Sequence, residues 1–147
     1  GTLNRALSNR WAADRLGLVH FQEDLNFSRY SYYRFFPEIG LEPDPVKRDA
    51  EQLARWQKDT ERLSGELSQL TNYGGYFPRY RNLNESHCAT IADFNHGDIQ
   101  EQNLQLSDFI GSVLDGKSKV VDAIERDTQA DKAKPFNLFY WLLNKLL

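Results

Sequence analysis

Residues 44–73 read DPVKRDAEQLARWQKDTERLSGELSQLTNY, and the fold turns on how this stretch is taken. Asp44 followed by Pro45 is a helix start. The aspartate side chain can accept from the free N–H groups of the first turn, and proline at the first helical position lacks an N–H that would have no partner there. Leu53, Trp56, Thr60, Leu63, Leu67 and Leu70 then recur at spacings of three and four, the pattern of a helix with one apolar seam. Glu51 and Arg55, Arg55 and Asp59, and Arg62 and Glu66 stand four apart, as ion pairs on outward faces would. The spacing predicts one helix over 45–73, about 43 Å long at 1.5 Å per residue. Gly74-Gly75 reads as its stop.

The flanking segments follow from this rod. Residues 37–45 form a linker with Pro37, Pro43 and Pro45. Before it, Leu3, Leu7 and Trp11 repeat every fourth residue and predict a helix over 3–16 that Gly17 ends or bends. Leu18-Val19-His20-Phe21 fits a short strand or more helix. Arg29–Phe36 has strand-like aromatics but is read as helix, closed by Pro37. After the rod, 76–84 reads as a loop. Short helices are expected over 84–95, from Asp98 (with Ile99, Leu106, Ile110, Val113 and Leu114 on one side), and over 117–128 with Val120, Val121 and Ile124 inward. Asp115-Gly116 is a turn signal. The last segment, 136–147, is apolar on nearly every side.

The fold expected from this reading is all-α: an irregular bundle of five to seven helices around the long central one, with at most a small β-hairpin. It forms a single helical domain over 1–147, divided into a helical and aromatic segment (1–36), the linker (37–45), the long helix (45–73) and the C-terminal helices (74–147).

Composition narrows the function classes. Hydrophobic residues at 40% and charged residues at 27% describe a globular chain. The single cysteine excludes an internal disulfide framework and a cysteine-based zinc cluster. A net charge of −3 argues against a general polyanion binder. No apolar run reaches the roughly 18–20 residues of a membrane span. Methionine is absent even at position 1, so the chain reads as an excised or processed piece of a larger protein.

Four groups of residues bear on chemistry. His87, Cys88, Asp93, His96, Asp98 and Glu101 are metal-ligand types, but their spacing matches no established ligand pattern. Cys88 lies beside His87 in sequence, and neighbours point apart, so the pair makes no nucleophile and base unless another histidine approaches. Six of the seven tyrosines lie in two arginine-bearing tracts, 29–34 and 73–81. Tyrosine and arginine are the residue types of interface hot centres. Residues 93–131 hold nine acids against Lys117, Lys119 and Arg126, whereas the first 36 residues are net positive, which fits a polarised surface. Two N-x-S triplets, at Asn26 and Asn84, complete the motifs.

The function expected is therefore a non-catalytic helical protein–protein interaction or assembly module, with no cofactor. Its partner is another protein or a second copy; nucleic acid is disfavoured by the charge, and a membrane contact would run through the apolar C-terminal segment. Partner contact is assigned to Tyr32, Arg34, Tyr76, Arg79 and Tyr80, and helix packing to Leu53, Trp56, Leu63, Leu67 and Leu70. Two alternatives stand beside it. One is the soluble domain of a membrane-anchored bacterial envelope, secretion or sensor protein. The other is a metal-dependent enzyme using His87, Asp93 and His96.

Overall fold

The structure, a computed structural model, describes residues 2–81, 86–87, 89, 97–116, 119–126 and 138–146, with Tyr140 and Asn144 described as backbone only. Its organising element is a sheet. Strands β1 (Leu16–Val19), β2 (Tyr73–Phe77) and β3 (Ala123–Ile124) run parallel in the order β1-β2-β3. Leu16 pairs with Tyr73, Val19 with Tyr76, and Tyr76 in turn with Ala123. The helices are α1 (Thr2–Arg10), α2 (Leu25–Phe35), α3 (Pro37–Gly40), α4 (Pro45–Leu67), α5 (Leu106–Leu114) and α6 (Leu138–Leu146). The chain is mixed α/β, and the all-α expectation is overturned by this three-stranded parallel sheet.

Alternation along the strands builds a core on each face. Leu16, Leu18, Tyr73, Phe77 and Ile124 point to one face, where they meet Leu63 and Leu67 at the end of α4 and Leu70 just beyond it. Val19, Tyr76 and Ala123 point to the other, against Leu106, Phe109, Ile110 and Val113 of α5. The strand order advances in one direction while the connecting helices lie on opposite faces. The two crossovers therefore wind in opposite senses, which leaves one of them in the rare left-handed sense.

The glycines explain why these strands escape a reading of the sequence. Gly74-Gly75, expected as a helix stop, is the middle of β2. A Cβ on Gly74 would lie 2.2 Å from the Val121 carbonyl oxygen and 2.5 Å from a Val120 methyl. Gly17, expected to end the first helix, lies inside β1, where a Cβ would come within 2.8 Å of Val113. In both places the glycine admits a close approach of neighbouring chain rather than a turn.

Helix α4 begins as its sequence dictates: the Asp44 side chain accepts from the Val46 N–H at 2.9 Å, and Pro45 is the first residue. It ends at Leu67 rather than at 73, because Tyr73 is needed in the sheet. Glu51 pairs with Arg55 at 2.9 Å, but Arg55 reaches Glu38 rather than Asp59, and Asp59 pairs with Arg62. The seam faces the protein's own interior. Trp56 donates from Nε1 to the Phe21 carbonyl at 2.8 Å, Thr60 is buried, and Leu63 and Leu67 pack on the sheet, while Leu53 is half-buried.

Three further expectations are corrected. The first helix stops at Arg10, and its buried residue is Ser8, not the Leu3, Leu7, Trp11 stripe. The Ser8 hydroxyl donates to the Asn72 side chain, whose amide donates to the Trp11 and Asp14 carbonyls at 3.0 and 2.9 Å, so one side chain closes the open end of α1. The helix expected from Asp98 begins at Leu106: Ile99 and Leu104 instead pair as an antiparallel bridge, and the Asp98 carboxylate accepts the Leu106 N–H at 2.9 Å. Of the helix expected over 117–128, residues 119–126 are described and contain β3 instead. The segment expected over 84–95 lies largely outside the described residues.

Candidate functional site

In open parallel sheets the carboxyl ends of the strands form the edge where ligands are bound, because the loops there diverge and leave backbone groups to recruit. Here that edge collects four of the ten buried polar side chains among the described residues: Gln22, Asp24, Arg81 and Glu125. The chain leaving β2 carries Arg79 and Arg81, the chain leaving β3 carries Glu125 and Arg126, and the chain leaving β1 carries His20, Gln22, Glu23 and Asp24. Backbone pairing continues past the strands, with Gln22 N–H to the Pro78 carbonyl, Glu23 N–H to the Arg79 carbonyl and Glu125 N–H to the Phe77 carbonyl.

At its centre Arg81 and Glu125 form an ion pair with both side chains only 5% exposed. Arg81 Nη1 and Nη2 reach the two carboxylate oxygens at 2.9 and 3.3 Å. The Arg79 N–H donates to the same carboxylate at 2.6 Å. Gln22 Nε2 ties the ends of two strands by donating to the Phe77 and Glu125 carbonyls, each at 2.8 Å. Arg79 extends the lattice to Glu23 at 3.1 Å and to the Arg126 carbonyl at 2.7 Å.

Beside this lattice, Asp24 does two jobs. Its Oδ1 accepts the Phe27 N–H at 2.7 Å and caps α2; its Oδ2 lies 3.0 Å from Nδ1 of His87. Asp24 is buried and His87 about one-third exposed. A carboxylate accepts only, so Nδ1 carries the proton in this contact. Phe27 stacks on the His87 ring at 6.3 Å. The start of α2, where a phosphate would find free N–H groups, is thus already occupied by a carboxylate of the chain itself.

His20 sits under the same edge. Its Nδ1 lies 3.1 Å from the Phe21 carbonyl, and its ring meets the rings of Trp56 and Phe77 edge-on at 5.2 and 4.8 Å. Burial among these groups pushes its pKa below the usual 6.5, against the smaller opposing pulls of the Phe21 carbonyl and the Asp24 charge. The folded state resists a proton that the unfolded chain accepts. Stability is expected to fall as the pH is lowered through about 6.5. A His20→Gln variant, followed by urea unfolding at stepped pH, should lose that part of the slope. An unchanged slope would place the acid sensitivity elsewhere.

The five residues assigned to partner contact do not form one surface. Tyr76 is fully buried; its hydroxyl accepts the Ile99 N–H at 2.9 Å and donates to the Leu104 carbonyl at 2.7 Å. Tyr32 is 7% exposed and donates to Asp59. Burial pushes both phenols well above their ordinary pKa, and for Tyr32 the hydrogen bond to Asp59 adds to it. Arg79 belongs to the ionic lattice, Tyr80 is half-buried, and Arg34 is exposed on α2. Sequence reasoning missed Asp24, Arg81 and Glu125, whose roles depend on partners 44 to 63 residues away. Asp24 alone carried a local signal, as an acid immediately before an apolar helical run.

Of the six ligand-type residues over 87–101, His87, Asp98 and Glu101 are described; Cys88, Asp93 and His96 lie outside the described residues. Among the described residues no three histidine, cysteine or acidic side chains cluster as ligands. The hydroxyls of both N-x-S triplets, Ser28 and Ser86, are fully buried, and each is hydrogen-bonded: Ser28 accepts from Gln52 at 2.6 Å, and Ser86 donates to the Arg81 carbonyl at 2.7 Å. No protein-family model, curated protein or solved structure matches the chain.

Proposed function

We propose that the chain is a non-catalytic protein–protein interaction module whose contact surface is the outer stripe of α2. The observation that carries this is a split within one helix. Ser28 and Tyr32 are buried against α4, while Phe27 (52% exposed), Tyr30 (76% exposed) and Arg34, spaced i, i+3 and i+7, look outward. Aromatic rings and arginine are the side chains that dominate binding energy at interfaces. Gln52 ties the back of the helix to α4 through the Leu25 carbonyl and the Ser28 hydroxyl, so little freedom is lost when the front is covered. Exposed Phe35 and Leu41 extend the apolar area toward α3.

A photo-crosslinking residue placed at Tyr30 tests this in cells of the native host. One discrete adduct is expected there, lost on Phe27→Ala with Arg34→Ala, and none is expected at Lys58 on the exposed side of α4. Equal labelling at both positions, or none at Tyr30, ends the proposal.

A second reading rests on His87. A carboxylate on Nδ1 is the usual support for a histidine that ligates metal through Nε2, since it fixes the ring and raises its basicity. The Asp24–His87 pair at 3.0 Å has that form and favours the metal-dependent alternative with Asp93 and His96. Untagged protein should then carry stoichiometric metal that His87→Ala removes; metal-free protein after purification without chelator sinks it.

A further inference from the structure

We infer that helix α6 is a membrane-surface helix that seats the chain on an anionic lipid bilayer. Its nine residues, LFYWLLNKL, leave Leu138, Phe139, Trp141, Leu142 and Leu146 all at least 47% exposed. So much apolar area in so short a span marks a contact surface rather than ordinary protein exterior. At 1.5 Å per residue the helix is about 14 Å long. The hydrocarbon core is about 30 Å thick, and no described helix is long and apolar enough to cross it. In the plane of the interface, phenylalanine, tryptophan and leucine would enter the acyl boundary and a lysine would reach back to the headgroups.

Charge selects lipid over the other occupants. Residues 132–147 contain Lys132, Lys134 and Lys145 and no acid, in a chain that is net −3. An anionic surface attracts this end and repels the acidic body, which orients the chain with α6 toward the membrane. Two copies meeting through this end would bring like charges together. The surface is distinct from the stripe on α2, so neither inference depends on the other.

Flotation of the full 147-residue chain with vesicles decides it. The chain is expected to float with vesicles of phosphatidylcholine and phosphatidylserine at low salt, and about tenfold less with phosphatidylcholine alone. Lys145→Glu should weaken flotation by about tenfold, since one attraction becomes a repulsion. Leu142→Glu with Leu146→Glu should abolish it; both side chains are exposed, so the circular-dichroism melt should not move. Three results overturn the proposal: a chain that stays soluble with both vesicle types, flotation untouched by the double glutamate variant, or a lipid-free dimer in sedimentation velocity that this variant dissociates while no vesicle is bound.

Discussion

Gly74→Ala is expected to destabilise the fold by at least about 3 kcal/mol, the upper range for forcing atoms into a packed interior. The added methyl would stand 2.2 Å from the Val121 carbonyl oxygen and 2.5 Å from a Val120 methyl. Neither atom is the far end of a flexible side chain, so the segment leading into β3 must move away from β2, and with it the pairing of Tyr76 to Ala123. Gly111→Ala supplies the contrast. It lies in α5 with nothing within 4 Å of where its methyl would stand, and should stabilise by about 0.5–1 kcal/mol through helix propensity alone. Urea unfolding of the two variants beside the wild type measures the difference. A Gly74→Ala midpoint at or above the wild-type value would mean that β2 and β3 do not lie as described.

The second large effect belongs to the ion pair. Arg81→Ala leaves Glu125 buried without its guanidinium, and removing one partner of a buried pair costs about 3–5 kcal/mol. Such pairs add little over a well-packed apolar substitute, so the double variant Arg81→Met, Glu125→Leu should recover part of the loss. It should not recover all of it. The Glu125 carboxylate also accepts the Arg79 N–H, and an orphaned buried donor costs about 1–3 kcal/mol. The expected order is wild type, then double variant, then Arg81→Ala. A single variant as stable as the double would mean that the two charges are solvated and do not hold the strand ends together.

These two sites show why the architecture is hard to read from the sequence. β1 has four residues, β2 five and β3 two, and three of those eleven positions are glycine. Such segments are too short for an alternating pattern to build up, and glycine is ordinarily a breaker. The absence of side chains at Gly17 and Gly74 is what lets Val113, Val120 and Val121 approach, but that reason exists only once distant parts of the chain are together. The long helix points to a bundle because its seam is the strongest periodic signal present; nothing in that seam says whether helices or a sheet will cover it.

The tyrosine-arginine tracts divide in the same way. Their composition marks them out, yet Tyr32 and Tyr76 are interior while Tyr30 and Arg34 are exterior. On α2 the division follows helical phase, with Ser28 and Tyr32 four apart on the inner side. The phase is legible in the sequence; which side of it is covered depends on where α4 comes to lie.

What the amino-acid order determined by itself is local. Asp44-Pro45 starts α4 because a side-chain oxygen and an absent N–H meet the needs of a helix end within two residues. Pro37 closes α2, because the residue before a proline is pushed out of helical geometry, and Phe36 has φ −130° and ψ 75°. Tertiary structure decided what required partners far apart in the chain: the parallel pairing of three short strands, the Arg81–Glu125 and Asp24–His87 contacts, and which aromatic rings stay in water. The physical reason is that a cap or a proline acts through bonds a few atoms long. A parallel strand pair is stabilised only after a loop of dozens of residues has closed, and local sequence carries no record of that closure.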